Sequence, residues 1–438
     1  MMELTSHPRP RGTRRLLWKV GGLLSLFMLT LVIGNVFVSP DKAVRSDMIG
    51  HDFLAFYSAG TLARAGQFHN LYDLTTIKRL ESEAAKTAGF TTGFGPWWNP
   101  PFAAWLFAPF SALPFPKALL LWEGMGLAML IASIVLLARM IPNAGDWRNW
   151  SLLVLVIFAS NPVLAVFAHA QNTFLTLLLL TLTVTFWRNR RAFVSGLIAG
   201  LLLYKPQHAA ILGIALCFSL GWPAAAGFTV TALALAGITI FTMPGAMTDY
   251  VQKLPRLLTV MQELSPYAWD RHVTLKAFWR LLLQGTAPGT TSPITALLWW
   301  TSELAVAGAL ARIALQARHD RAQIDRFIAA TIIASPLLVP FCFDYDLMIL
   351  AIPAVLFAAE SMRGREDRPL LWGWIVLYAT LHISTLIARP THLILATPML
   401  GVMCGLMAIA KSQMTERAVA PLGIAPIQRE SAPRAAAA

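Results

Sequence analysis

The chain has 438 residues, of which 56% are hydrophobic and only 13% charged, with a mean hydropathy of +0.59 and a formal charge of +13. A soluble domain carries about twice that charged fraction, so composition excludes an ordinary soluble protein. The basic balance sits largely in short connections between apolar runs, where arginines set membrane topology and meet anionic headgroups, and no nucleic-acid recognition motif accompanies it.

Apolar runs of about 20 residues predict an all-α polytopic membrane protein of about 12 transmembrane helices, within a range of roughly 10–13. The N-terminus, MMELTSHPRPRGTRRLLWKV, has the basic flank of a signal peptide. The apolar part, roughly 16–38, is longer than a signal h-region and no small-x-small cleavage site follows, which predicts an uncleaved first span. A long outer segment, 39–100, comes next. In it HDFLAFYSAGTLARAGQFHNLYD (51–73) spaces Phe53, Phe56, Tyr57 and Gly60 as a helix does. The expectation is an amphipathic helix in the membrane interface with its aromatic face in lipid. PFAAWLFAPFSALPF (101–115) reads as a half-span. Further spans are expected at roughly 117–139, 150–167, 173–187, 192–205, 207–221, 224–242, 293–316, 326–341, 346–360, 370–387 and 391–411. The segment 244–292 is a second outer loop, and the Ala- and Pro-rich tail 412–438 reads as disordered. Cys217, Cys342 and Cys404 have no CxxC spacing and are expected to be buried small hydrophobes without a disulfide framework.

Arg9, Arg11, Arg14 and Arg15 place the N-terminus in the cytoplasm. Alternating the spans then puts Arg139 and Arg148, Arg188, Arg190 and Arg191, Arg318 and Arg321, and Arg363, Arg365 and Arg368 on the same side, with both termini cytoplasmic. The opposite side collects HAQN (169–172), YKPQH (204–208), SPYAWDRH (265–272), FCFDYD (341–346) and most of the histidines.

Several polar residues on that side admit a structural and a chemical reading. Asp52 is either the N-cap of the aromatic helix or a general base taking a proton from an attacking hydroxyl. Its neighbour Asp47 reads as a solvated loop residue. Tyr57, and Trp98 and Asn99 in WWNPPF, are interfacial structure or a surface for a sugar or lipid tail. Gln171 and Asn172 either cap a helix or hold sugar hydroxyls without adding charge. Lys205 either snorkels or, with Pro206 breaking the helix beside it, is aimed with His208 at a phosphate. Arg271 and His272 are solvated loop residues or further phosphate ligands, the guanidinium gripping bidentately. Asp344 and Asp346 form a DxD pair that suits a hard divalent cation, although capping of the next helix explains one of them more simply, and Asp344 is otherwise a candidate for sugar or acceptor contact.

The ordered set HDFLAFYSAGTLARAGQFHNLYD, WNPPFAAWLFAPFSALPF, AQNTFLTLLLLTL, LLYKPQHAAILGIAL and SPLLVPFCFDYDLMILAIP resembles glycosyltransferase family 87 over about residues 50–355. The resemblance implies a GT-C fold and transfer of a sugar, by mannosyltransferase members mannose, from a polyprenyl-phosphate donor. The acceptor is a lipid or glycan on the periplasmic face of the bacterial cytoplasmic membrane, and the anomeric centre is inverted. It also implies that Asp52 is the catalytic acid of the first outer loop, and it maps Gln171, Asn172, Lys205 and Pro206 onto family segments. Relatives carry a histidine after the late Ser-Pro, whereas Ser335-Pro336 here leads into LLVPFCFDYD with none. No cofactor is required, since phosphate is already a good leaving group. The rival class, a lipid-linked-sugar flippase or transporter, places ionisable groups near the bilayer midplane on paired repeats. Here the polar groups gather on one face and no repeat is evident.

Overall fold

The computed structural model describes residues 11–36, 50–87, 95–143, 145–264, 267–319, 323–363 and 367–409. Asp47, Arg9, Arg321, Arg365, Ser265, Pro266 and the tail 412–438 lie outside the described residues. Every regular element among these residues is helical, and the only extended pairing is one antiparallel bridge between His272 and Phe343.

In chain order the helices are α1 (Arg11–Val36), α2 (Phe53–Arg64), α3 (Leu74–Thr87), α4 (Ala104–Phe107), α5 (Phe115–Ala138), α6 (Trp147–Phe158) and α7 (Asn161–His169). They continue as α8 (Thr173–Arg188), α9 (Ala192–Leu201), α10 (Pro206–Leu220), α11 (Trp222–Thr242), α12 (Ala246–Thr259) and α13 (Leu275–Gln284). The last are α14 (Pro293–His319), α15 (Ile324–Leu338), α16 (Ala351–Met362), α17 (Arg368–Thr391) and α18 (Ala396–Ile409). Five segments are long and apolar enough to cross a bilayer alone: α5, α11, α14, Asp344–Met362 and α17. The run expected as one span at 150–167 is two helices, α6 and α7, bent by 60°. Pro162 in the first turn of α7 lacks the amide that would continue α6, and counting this bent pair as one span makes six. Helix α8, α9 with its terminal turn, α10 and α18 are apolar but only 10–17 residues long. The protein is therefore a multi-pass membrane protein. Its periphery is what lipid demands: Trp222, Phe241, Leu120, Ile214 and Leu304 are all exposed, a surface that water would not tolerate.

Lipid gives helices no hydrophobic reason to associate, so close backbone approach must supply the contact. Helices α9 and α11 meet in this way. A Cβ on Gly196 would lie 2.0 Å from the Ala224 carbonyl oxygen, and one on Gly227 2.0 Å from that of Phe193. Gly200 faces Thr231 one turn along, and the Thr231 hydroxyl donates across the interface to the Leu197 carbonyl at 2.8 Å. A two-point ion pair from Arg188 to Asp325, 2.7 and 2.9 Å, ties the end of α8 to the start of α15.

Two expectations are corrected. The aromatic face of α2 is not in lipid: Phe53 and Phe56 are buried against Trp122, Phe107, Phe110 and Trp97. The half-span 101–115 supplies Phe107 and Phe110 as short helical turns, and the Phe107 carbonyl sits where a side chain on Gly60 would be, 2.4 Å from its Cβ. Aromatic rings gain more from this enclosed mixture of stacked and edge-to-face contacts than from acyl chains. Cys217 is exposed on α10, whereas Cys342 and Cys404 are buried, and all three thiols are free.

Replacing Gly196 or Gly227 with leucine forces α9 and α11 apart. The expected result is a loss of more than about 3 kcal/mol and of monodisperse protein in detergent, while Gly237→Leu, on the same helix but without a close neighbour, is silent. Size-exclusion profiles and thermal melts of the three variants check this.

Candidate active site

The site is built from connections between helices, each shaped by a local feature. Gly50 adopts φ +79° and its amide donates to the Ala168 carbonyl at 2.9 Å, which pins the start of α2 to the end of α7. A side chain at Gly50 would displace only the end of the Leu119 side chain, so it is the positive φ that favours glycine here. Asp52 then stands at the N-cap of α2, yet its carboxylate makes no capping bond. It is turned to α7 and α8 instead.

Helix α7 ends on Ala170, which takes the left-handed conformation (φ 51°, ψ 44°) usually left to glycine. The Gln171 amide reaches back to the Val166 carbonyl at 3.1 Å and the Trp122 indole N–H clamps the Ala170 carbonyl at 2.9 Å. The tight reversal aims Gln171 at Asp52, Nε2 to Oδ2 2.7 Å, and the same nitrogen donates to the Tyr345 hydroxyl at 3.0 Å. The carboxylate can only accept, so the amide nitrogen must face it.

Arg271 enters through a two-residue extended pairing: His272 bridges Phe343 and the Val273 amide donates to the Cys342 carbonyl at 2.9 Å. That register sets Arg271 beside Asp344, Nη2 to Oδ1 3.2 Å, with its guanidinium over the Phe343 and Tyr345 rings. The same Nη2 lies 2.9 Å from His169 Nε2, and His169 Nδ1 lies 3.8 Å from Asp52 Oδ2. Pro206 starts α10 and leaves Lys205 in a break after α9, where Nζ meets Asp346 Oδ1 at 2.6 Å. Thr173 donates to the same oxygen at 3.1 Å, and the other oxygen accepts the Phe343 amide at 3.2 Å. Asp52, Gln171, Lys205, Arg271 and Asp344 are thus joined through the FDYD segment, Lys205 by way of Asp346.

The other residues singled out from the sequence stand apart from these bonds. Tyr57 donates its hydroxyl to the Leu113 carbonyl at 2.8 Å and packs on Phe53 and Phe115. Asn99 donates to the Tyr204 carbonyl and accepts from the Tyr72 hydroxyl, both at 2.8 Å, which latches the first outer segment onto the residue preceding Lys205. Trp98 is partly buried against the core. Asn172 is buried at the N-cap of α8 without a capping bond, and its carbonyl oxygen Oδ1 has no hydrogen-bond partner. His208 turns to Ser335, Nδ1 to Oγ 2.8 Å. His272 is a buried plate between Tyr267 and Phe343, and burial followed by the adjacent Arg271 charge pushes its imidazole down to about 3. It supplies shape and not the positive charge expected of a phosphate ligand. Sequence reasoning missed His169, Tyr345 and Thr173 as members of the site, although each adjoins or lies within HAQN or FCFDYD. Among the described residues no group of three His, Cys, Asp or Glu side chains is placed to hold a metal ion, and Asp344 and Asp346 are engaged by Arg271 and Lys205.

Burial pushes the Asp52 carboxyl up. The neighbouring His51 and His169 rings, the Gln171 amide and the Arg271 charge outweigh it and hold the group below the usual carboxylate range. Asp52 is therefore ionised at neutral pH. Glu81, on α3 and fully buried, behaves oppositely. Burial raises it to about 8 against one bond from the Gly95 amide at 2.9 Å, and Asp52 adds to the rise.

A profile of glycosyltransferase family 87 matches residues 97–340, more than half of the chain. The chain belongs to glycosyltransferase family 87. Searches of curated proteins and of solved structures gave no match. The matched stretch of this membrane glycosyltransferase contains Gln171, Lys205 and Arg271 but ends before Asp344 and begins after Asp52. Sugar donor and acceptor follow from the family.

Glu81 gives a prediction with a defined sign. Because its pKa is raised on folding, the native state binds the extra proton and stability falls as pH rises from about 4.5 toward about 8. Glu81→Gln removes that component, so its advantage in melting temperature over the parent is smallest at pH 5 and grows up to pH 8.5. An advantage that is flat with pH contradicts the assignment.

Proposed function

We propose that this glycosyltransferase moves a hexose, with mannose the leading candidate, from a polyprenyl-phosphate donor to a hydroxyl of a lipid or glycan acceptor, with inversion. We place the reaction at the periplasmic face of the bacterial cytoplasmic membrane, in a GT-C-like bundle of about 12 spans with both termini cytoplasmic. The observation that carries the reading is the joining of one ionised acid, Asp52, and two cations, Lys205 and Arg271, in a single bonded network at helix connections.

The chemistry is a single in-line displacement. A lone pair of the acceptor oxygen forms the new bond to the anomeric carbon while its proton passes to Asp52. The bond from that carbon to the phosphate oxygen breaks and the electron pair leaves with the phosphate. A carboxylate held low is a modest base, but it is always ready, and a positioned base contributes about 10²–10⁴ in rate. The departing phosphate gains negative charge, which Lys205 and Arg271 are placed to stabilise once they turn from Asp346 and Asp344. Gln171 fixes the acid that receives the proton. Asn172, Trp98 and Asn99 remain candidates for sugar or acceptor contact, and no cofactor is needed.

Transfer of label from polyprenyl-phosphate-mannose to membrane lipid extract, by protein purified in detergent, tests the reading. Asp52→Asn is expected to lose at least about 10² in kcat with little change in KM. Lys205→Met strands the Asp346 charge and can destabilise by about 3–5 kcal/mol, so the informative variant is Lys205→Met with Asp346→Asn, which regains the fold but not turnover. Full activity in Asp52→Asn removes this acid from the mechanism.

A further inference from the structure

We propose that His169 is a positioning residue for Asp52, held by Arg271 as the neutral Nδ1–H tautomer so that its ring N–H faces the carboxylate. The inference rests on the reading of Asp52 as the base, and deepens it.

The geometry carries the tautomer. A guanidinium has only donors, so the 2.9 Å contact from Arg271 Nη2 requires His169 Nε2 to be an unprotonated acceptor. In a neutral imidazole the single ring proton is then on Nδ1, the nitrogen 3.8 Å from Asp52 Oδ2. The far end of the chain is fixed too, because Arg271 also donates to Asp344 at 3.2 Å and lies over the Phe343 and Tyr345 rings. His169 itself is nearly fully buried and packs its ring on Tyr345 at 5.7 Å. The order is therefore Asp344, Arg271, His169, Asp52, with Arg271 donating to both of its neighbours and the His169 Nδ1–H directed at Asp52.

This arrangement assigns His169 a role distinct from proton acceptance. With Nε2 occupied and Nδ1 already protonated, the ring cannot take the acceptor's proton. It can hold Asp52 Oδ2, while Gln171 holds the same oxygen at 2.7 Å, leaving Oδ1 for the acceptor hydroxyl. The 3.8 Å separation is long for a hydrogen bond, and such contacts tighten when substrate binds. The other groups facing Asp52 are His51, with Nδ1 3.7 Å from Oδ1, and the Arg271, Glu81 and Tyr345 side chains. None of these supplies a donor to Oδ2 in place of His169.

Nitrogen NMR of the full-length chain in nanodiscs, labelled at histidine and assigned by difference against His169→Asn, reads the ring without any substrate. The expected state at pH 7 is protonated Nδ1 with unprotonated Nε2, and Arg271→Met releases it to a mixed, titrating ring. A protonated Nε2 or an imidazolium in the parent overturns the proposal. In the transfer assay His169→Asn, whose amide mimics Nδ1–H, is expected to stay within about threefold of the parent, while His169→Gln, which mimics Nε2, loses about tenfold or more in kcat. Losing a donor to the ionised form raises the Asp52 pKa, so the acid limb of kcat/KM moves up by about one pH unit in His169→Gln and not in His169→Asn. Equal behaviour of the two variants, with Asp52→Asn inactive, overturns the positioning role alone. Turnover retained by Asp52→Asn overturns the base reading instead, and leaves the ring tautomer as a separate result.

Discussion

Two ion pairs anchored two residues apart organise the functional end of this protein. Lys205 and Arg271 come from connections 66 positions apart in the sequence, and each meets one aspartate of the FDYD segment. A charge in a poorly solvated environment is costly when alone, so neither pair can open without leaving its partner stranded. Such pairs add little net stability compared with apolar packing. Their effect is geometric: the break before α10, the extended link before α13 and the turn after α15 must all converge. The chemistry proposed for the site uses the same constraint, since a cation already held near the reaction centre needs little reorganisation to receive a phosphate.

Around this anchor the backbone accepts local strain to aim side chains. Ala170 sits in the left-handed region at a cost of about 1–2 kcal/mol, and the Trp122 indole and the Val166 carbonyl hold it there. The return is a reversal tight enough to bring both His169 and Gln171 to one oxygen, Oδ2, of the Asp52 carboxylate. Asp52 shows the complementary economy. It occupies a capping position but leaves the helix end uncapped, and its Oδ2 accepts from Gln171 while the His51 and His169 rings stand 3.7 and 3.8 Å from its two oxygens. The result is a carboxylate that is ionised over the physiological range and oriented by its neighbours, in spite of its burial.

Much of the site was legible because membranes sort charge by side. Alternating the spans placed HAQN, YKP, DRH and FDYD together, and the structure joins Asp52, Gln171, Lys205, Arg271 and Asp344 in one network. Tyr57 and His208 were plausible by the same logic, but Tyr57 satisfies the Leu113 carbonyl and His208 turns to Ser335. Proximity in sequence to a site is no guide to which way a side chain faces when a helix rotates its neighbours by 100° per residue. Asn99 illustrates a third outcome: at the site's edge it latches the first outer segment to Tyr204 through its amide nitrogen. His169 escaped notice because nothing in a single histidine tells which nitrogen is protonated until its donor is seen.

The sequence by itself determined the solvent this protein lives in, the segments that become helices and the connections that carry charge. Those properties are local, readable in windows of about 20 residues, because each depends on whether a stretch can satisfy its backbone and bury its side chains in lipid. Only the tertiary structure decided that the aromatic face of α2 packs on residues 101–115, that Lys205 answers to Asp346 and Arg271 to Asp344, and that Gln171 reaches Asp52 across 119 residues of chain. Those choices follow from how helices seat on one another, through the glycine contacts of α9 and α11 and the reversal at Ala170, and a pairing set by three-dimensional packing leaves no periodicity for a sequence to display.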